Sequence, residues 1–439
     1  MRARPHVSLT ASGSYQKEEK HMSIPQRLTK LSVAAIVTVM VAACGTSSSQ
    51  DTSPVKIGVE GPMTGQYADV GAGFWQGAQA AAREINAQGG VLGGRKLELV
   101  QADDVSDPAD AVPAIRKLID IDHIVALDGP NSTVLPAISP ILVQNKIPTM
   151  FQGGTTHFDT NTVPWLWRPS PSDSQLGVAM AVYALTKGYK KAALVFASVA
   201  SAQTLKGVVK DTYTKNGGTI TAEVTIATGQ TSYRSEVETV VQSHPDVVLL
   251  QIDPPTAGPL FTNFKQVNNL SIPFIGSDLT AGSDFVTAVT PAIASKVLVS
   301  IQGSTSAGPG AAPFKQFYGE LYQGQPVSGA NYSYDAIMEL SLAMQKAGST
   351  DSTKLNAAIP LVCNPGGTDV SDWASAIAAL AQGQKVHFVG AGGPAGYNDN
   401  HNALGAFSAF QSNTGGQLQV VGDISLDAMA KAAAGTLTS

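Results

Sequence analysis

The sequence predicts an α/β protein built from two doubly wound lobes, each a parallel sheet covered by helices on both faces. Short, near-continuous apolar runs alternate with stretches of helical periodicity, the pattern of strands buried on both sides. The alternation runs as one series to about residue 151 and restarts near Trp165, which implies two lobes. The length agrees, since 439 residues at roughly 150 per domain make two or three domains.

The elements follow in order. Residues 55–58 form a short apolar strand, and Phe74, Ala78, Ala81, Ala82 and Ile85 recur at helical spacing until Gly89-Gly90 stops the helix. Residues 96–102 alternate as a strand, and Asp107-Pro108 opens the next helix. Pro113 lies awkwardly inside that helix, so a later start is expected. Strand 123–127, helix 134–145 and strand 148–151 complete the first series. The second series has helices at 172–187, 203–215, 233–243 and 257–268, with strands at 192–197, 219–227, 247–252 and 273–276. Residues 313–322, 333–347, 353–359 and 373–380 are mostly helical. Too few strands accompany them for a third sheet, so they are expected to dock back on the first lobe. Residues 405–411 and 418–423 read as a hairpin around an Asn-Thr-Gly-Gly turn.

The front of the chain reads as an export signal. Arg27 and Lys30 precede an apolar run at 31–41, long enough for a signal peptide and too short to span a bilayer. Small residues then lead into Cys44, in Val41-Ala42-Ala43-Cys44, and a polar stretch at 45–53 follows as a tether. The order resembles the lipobox of bacterial lipoproteins, which implies a signal peptide at 1–43, two acyl chains on Cys44 and a stable anchor on the outer face of the cell membrane. Met22 is a plausible true start, and residues 1–21 are excluded from fold reasoning. Without the first 43 residues the chain holds 22 basic and 31 acidic residues, a net charge of −9. An acidic body without a basic stripe argues against a nucleic-acid partner. With Cys44 lipidated, Cys363 has no partner, and no disulfide framework follows.

The chain then resembles the type I periplasmic binding proteins of branched-chain amino acid (Leu/Ile/Val) transport. The pieces that carry this are KIGVEGPMTGQYADVGAGFWQGAQAAAREINAQGGVLGGRKLELVQADD, ALDGPNSTVLPAISPILVQNKIPTMFQGGTT, WRPSPSD, PDVVLLQ, IPFIGSD and YDAIMELSLAMQKAG, in that order across about residues 54–430. The resemblance implies two lobes joined by three crossovers, closing on a small amino acid or related carboxylate that an ABC permease in the membrane then receives. Lobe one is expected at 54–167 and 304–400, lobe two at 168–303 and 401–430.

In open parallel sheets ligands sit beyond the carboxyl ends of the strands. Asn131-Ser132-Thr133 follows a strand and opens a helix, a placement suited to a carboxylate. Ordinary capping by Ser132 is compatible with that role. Gln152-Gly153-Gly154-Thr155-Thr156 follows the next strand, with glycines that let a ligand approach the backbone. By resemblance Ser132 and Thr155 match positions that hold an α-carboxylate, and Gly153 matches one whose carbonyl meets the α-ammonium. Asp278 ends a strand where the family often pairs an acid with the ammonium; a turn or cap role is the alternative. Gln66 and Tyr67 match cleft-wall positions. Many relatives place an aromatic residue near 198–203, whereas this chain has Ser198-Val199-Ala200-Ser201-Ala202-Gln203, and Asp253-Pro254-Pro255 is also unusual. Gln203 and Asp253 therefore enter the candidate set with no defined partner.

Catalysis lacks support. Gly71-x-Gly73-x-x-x-Gly77 stands too far from the strand ending near residue 60 for a dinucleotide turn and reads as close helix packing. There is no G-x-S-x-G elbow, P-loop or paired-histidine spacing. A non-enzymatic protein without cofactor or metal is expected. A transport receptor is the leading reading, and a lipoprotein sensor of the same fold acting on a membrane partner is the alternative.

Overall fold

The computed structural model describes residues 51–65, 67–268, 270–303, 309–394 and 396–437. The signal segment, Cys44, the start of the tether and Gln66 lie outside them.

The first series contains β1 (Val55–Gly61), α1 (Ala68–Ala87), β2 (Leu97–Asp103), α2 (Pro108–Asp120), β3 (Ala126–Asp128), α3 (Leu135–Gln144), β4 (Thr149–Met150) and β5 (Leu166–Trp167). Its five strands are all parallel, in the order β2-β1-β3-β4-β5. Asp107 caps α2 by accepting from the Ala109 N–H at 2.8 Å, with Pro108 in the first turn. The helix thus starts at Pro108 and continues through Pro113, earlier than expected, because a capped first turn outweighs one missing hydrogen bond.

The second series contains α4 (Asp173–Thr186), β6 (Lys191–Ala197), α5 (Ala200–Lys215), β7 (Thr219–Ile226), α6 (Arg234–Gln242), β8 (Val247–Gln251), α7 (Pro254–Asn268), β9 (Phe274–Gly276), α8 (Ser283–Val289), α9 (Pro291–Val297) and β10 (Leu298–Gly303). Later come α10 (Ala311–Leu321), α11 (Ala330–Ala347), α12 (Ser352–Cys363), β11 (Thr368–Val370), α13 (Trp373–Ala381), β12 (Val386–Gly390), β13 (Gly393–Pro394), β14 (Phe407–Ser412), β15 (Leu418–Ile424) and α14 (Leu426–Ala434). The second sheet runs β15-β14-β10-β9-β8-β6-β7, parallel except at the β14–β15 edge. The expected hairpin is that edge.

A small third sheet, β11-β12-β13, corrects the expectation that the late segment holds none. Its strands are too short to show period in the sequence. The late helices and this sheet share one apolar core with β1 and α1, from Val55, Ile57 and Phe74 to Tyr334, Trp373 and Phe388. Polar pegs reinforce that core. Glu84 of α1 accepts from the Tyr334 hydroxyl and from the Trp373 N–H at 2.6 Å. Asp335 accepts from the Ala391 and Gly392 N–H groups, each at 2.7 Å. At Gly73 and Gly77 an added Cβ would fall 2.3 Å and 1.9 Å from the carbonyl oxygens of Ser328 and Ala330. The glycine series therefore lets α1 press against the chain entering α11.

Three stretches connect the parts built on the two large sheets: β5 to α4, β10 to α10, and β13 to β14. Two of them pair, with the Arg168 N–H donating to the His401 carbonyl and the Ala403 N–H to the Arg168 carbonyl, both at 2.9 Å.

Candidate functional site

A cleft of about 320 Å³ opens where the two large sheets' strand ends face each other. From the first side come Phe74 of α1, Gln152 and Gly154 after β4, and Asn331 and Tyr332 at the start of α11. From the second come Asp173 and Leu176 of α4, Asp278 after β9, Gln302 of β10 and Phe407 of β14. The walls touch closely: an added Cβ at Gly303 would fall 1.5 Å from the Tyr332 hydroxyl oxygen, and one at Gly154 would fall 2.2 Å from Asp173 Oδ1. A side chain at either position would have to displace the Tyr332 hydroxyl or the Asp173 carboxylate.

The charge of this cleft is one-sided. Asp69, Asp173 and Asp278 line it, and among the described residues no Lys, Arg or His does. Burial lifts the Asp173 carboxyl to about 7, with the Asp278 charge raising it further and Arg168 pulling it back. Asp278 is also raised, first by the protein around it, while the Leu279 N–H donates to Oδ1 at 2.9 Å and opposes that rise. Its carboxylate nevertheless reaches cleft water, which screens the effect. Asn331, only 3% exposed, directs its Nδ2 toward the Tyr332 oxygen, and the buried Tyr332 O–H has no acceptor among the described residues.

Arg168 fixes the floor. Its side chain is fully buried, paired with Asp159, and Nε donates to Asn402 Oδ1 at 2.8 Å. Nη1 donates to the carbonyls of Gly153, Gly154 and Thr155 at 3.4, 3.4 and 3.0 Å. One guanidinium thus sets the path of the loop after β4.

Of the candidates named from sequence, Gln152, Gly154 and Asp278 line the cleft. Gln152 is held by its Nε2 donating to Asp128 Oδ1 at 2.9 Å. Ser132 and Thr155 do not line it; the Thr155 N–H donates to Ser132 Oγ at 3.2 Å. Ser132 does not cap α3, which starts three residues later, and Asn131 Oδ1 instead accepts from the Thr133 N–H at 2.8 Å. The Gly153 carbonyl, expected to meet an ammonium, accepts from Arg168. Thr156 starts a short 3-10 turn, and Tyr67 is 51% exposed beside α1 rather than in the wall. Gln203 donates from Nε2 to the Ala197 carbonyl at 2.6 Å, and Asp253 Oδ1 accepts from the Thr256 N–H at 3.1 Å at the start of α7; neither lines the cleft. Sequence reasoning missed Asp69, Asp173, Asn331 and Tyr332. Asp173 stands in the quoted WRPSPSD piece, but its direction depends on the crossover and not on local pattern.

Among the described residues no group of three or more His, Cys, Asp or Glu could hold a metal ion, and no helix is long and apolar enough to cross a membrane.

The arrangement, two α/β units facing each other across a ligand-sized cleft, is that of a substrate-binding receptor. Residues 54–417 match the family model described as periplasmic binding protein. The chain belongs to that family, in the type I group that includes the Leu/Ile/Val-binding proteins. It is similar to an amino acid binding protein of Pseudomonas aeruginosa, 28% identical over 331 residues and covering 74% of this chain and 87% of that one. It is similar to Leu/Ile/Val-binding protein homolog 1 of Brucella melitensis, 25% identical over 329 residues, covering 74% and 86%. The crystal structure of the leucine binding protein LivK of Thermotoga maritima shares the fold, with a TM-score of 0.70 and 24% identity over 85% of this chain and 99% of that one. Each of these relatives is named as a binding protein.

Proposed function

We propose that this protein is a lipid-anchored receptor that captures a small amino acid or related molecule between two lobes and hands it to an ABC permease. One observation carries the reading: a cleft of about 320 Å³ lies beyond the strand ends of the two large sheets and takes its walls from both. The proposed lobes are 54–167 with 304–400, and 168–303 with 401–430; the shared core of the late helices with β1 and α1 supports that division. A ligand touching both walls favours the closed form by its differential affinity, and the closed form is what a permease reads. The relatives' names support an amino-acid ligand. The basic, apolar and small-residue order before Cys44 supports the anchor.

A thermal-shift screen of amino acids and small carboxylates, followed by calorimetry, tests the receptor. A ligand that raises the unfolding temperature and loses affinity about 10- to 150-fold in Asp278→Ala supports both the cleft and its acid. The absence of any ligand across the screen would refute it. For the anchor, Cys44→Ser should release the protein from the membrane fraction, and unchanged processing and membrane attachment would refute lipidation there.

A further inference from the structure

The geometry points to a ligand that is a net organic cation, with its positive group between Asp173 and Asp278 and a hydrogen-bond acceptor turned toward Asn331 and Tyr332. This inference rests on the receptor reading above and narrows its ligand.

Two independent observations meet in the cleft. The first is a pair of carboxylates with no basic residue beside them among the described residues of the cleft wall. Asp173, half-buried at the start of α4, and Asp278 line the same space, with Asp69 at its rim and no basic residue in the wall. Arg168 lies behind Asp173 and draws its carboxyl down, but it is fully buried, pairs with Asp159 and does not line the cleft. The residues of 51–439 that are not described are Gln66, Asn269, 304–308, Ala395, Thr438 and Ser439, and none of them is basic. Within the cleft itself, therefore, a counter-charge for these acids can come from the ligand. A ligand carboxylate placed here would face like charges with no cation to offset them. An isolated zwitterion brings one ammonium to two or three acids together with a repelled carboxylate.

The second observation is the pair of unpartnered donors. Asn331 is nearly fully buried and lines the cleft; one N–H of its Nδ2 faces the Tyr332 oxygen, while its other N–H and the buried Tyr332 O–H have no acceptor among the described residues. A buried donor left unmade is costly, so both look for an acceptor inside the cleft. Ser132 and Thr155, the groups expected to hold a carboxylate, do not line the cleft. A neutral acceptor such as an amide or hydroxyl oxygen meets Asn331 and Tyr332 without bringing negative charge near the acids. Phe74, Leu176 and Phe407 give the ligand's apolar part its wall. The chemical class is a small amine or guanidine carrying a neutral oxygen, such as an amino-acid amide, an amino alcohol or an acylated diamine.

Calorimetry on the purified protein with matched probes tests this. One series is leucinamide, leucine and 4-methylpentanoate; a second is argininamide, arginine and 5-guanidinopentanoate. In the series that binds, the amide should bind at least about tenfold tighter than the free amino acid, and its affinity should fall as salt rises. Asp278→Asn and Asp173→Asn should each weaken the amide about tenfold or more and narrow its lead over the amino acid. The ranking in the unmodified protein needs no variant and holds even if one of them folds poorly. A free amino acid or an anion binding as tightly as its amide would overturn the cation preference and leave the receptor reading intact. A cation preference unchanged in both folded variants would overturn the placement between the two acids. Binding by no member of either series would overturn the inference, and with no ligand in the wider screen the receptor reading falls separately.

Discussion

Gly77 is where a single methyl group should be felt most sharply. In α1 its added Cβ would fall 1.9 Å from the Ala330 carbonyl oxygen, 2.7 Å from its carbon and 2.9 Å from its Cα. All three are backbone atoms, so no rotamer change relieves the clash, and α1 must back away from the start of α11 by roughly 1 Å in a close-packed interior. Overpacking of this kind costs about 1–3 kcal/mol, occasionally more. Helix propensity works the other way, since Gly→Ala in a helix interior gains up to about 1 kcal/mol. Gly207, inside α5, supplies the control: nothing lies within 4 Å of its added Cβ, so only the propensity gain remains. Gly77→Ala should lower the thermal unfolding midpoint by several degrees, at about 2–4 °C per kcal/mol, while Gly207→Ala leaves it unchanged or raises it. The assay is a calorimetric or circular-dichroism melt of the two variants beside wild type. A Gly77→Ala protein as stable as wild type, or a Gly207→Ala protein destabilised to the same degree, would refute the packing account. The same displacement moves Asn331 and Tyr332, so Gly77→Ala should also weaken ligand binding.

Three further outcomes follow from buried charge. Removing one partner of a buried ion pair costs about 3–5 kcal/mol; because Asp159 is partly exposed, Arg168→Met should cost near the lower end, read as a drop in the urea midpoint, and a midpoint equal to wild type would count against the role of Arg168 under the cleft. Burial raises Asp128 and Asp335 to about 7 and Glu339 to about 8, whereas unfolded carboxyls titrate near 4. The folded state therefore holds more protons than the unfolded one between these values, and stability falls as pH rises from about 4 to about 8; a higher melting point at pH 8.5 than at pH 5.5 would contradict this. Cys363 is fully buried, and burial followed by the Glu339 charge pushes its thiol well up, so in Cys44→Ser protein a thiol reagent should find no fast-reacting group until the chain unfolds.

Much of the fold was legible because its signals are local. Continuous apolar runs at 192–197 and 247–252, the Asp107-Pro108 start and the Gly89-Gly90 stop each depend on a few neighbouring residues, and β6, β8, α2 and α1 lie where those signals put them. The close approach at Gly77 was legible for the same reason, as small residues at helical spacing. Short strands such as β4, β5 and β11 span only two or three residues, too few for a period, and their existence depends on the neighbouring strand.

The site divided along the same line. The sequence determined which strand ends border the cleft, and so brought Gln152, Gly154 and Asp278 into it. It could not determine where Ser132 and Thr155 point, because the loop after β4 is drawn by Arg168 from the next connection and by Asn402 from more than 230 residues later. Nor could it show that Asp173, one residue beyond an ordinary serine cap, shares a space with Asp278 across the second sheet, or that Asn331 at a helix start is left with an unpaired donor. Those facts arise from the way the crossovers bring distant chain ends together. Charge and hydrogen-bond satisfaction depend on distances in space, which local sequence pattern does not encode.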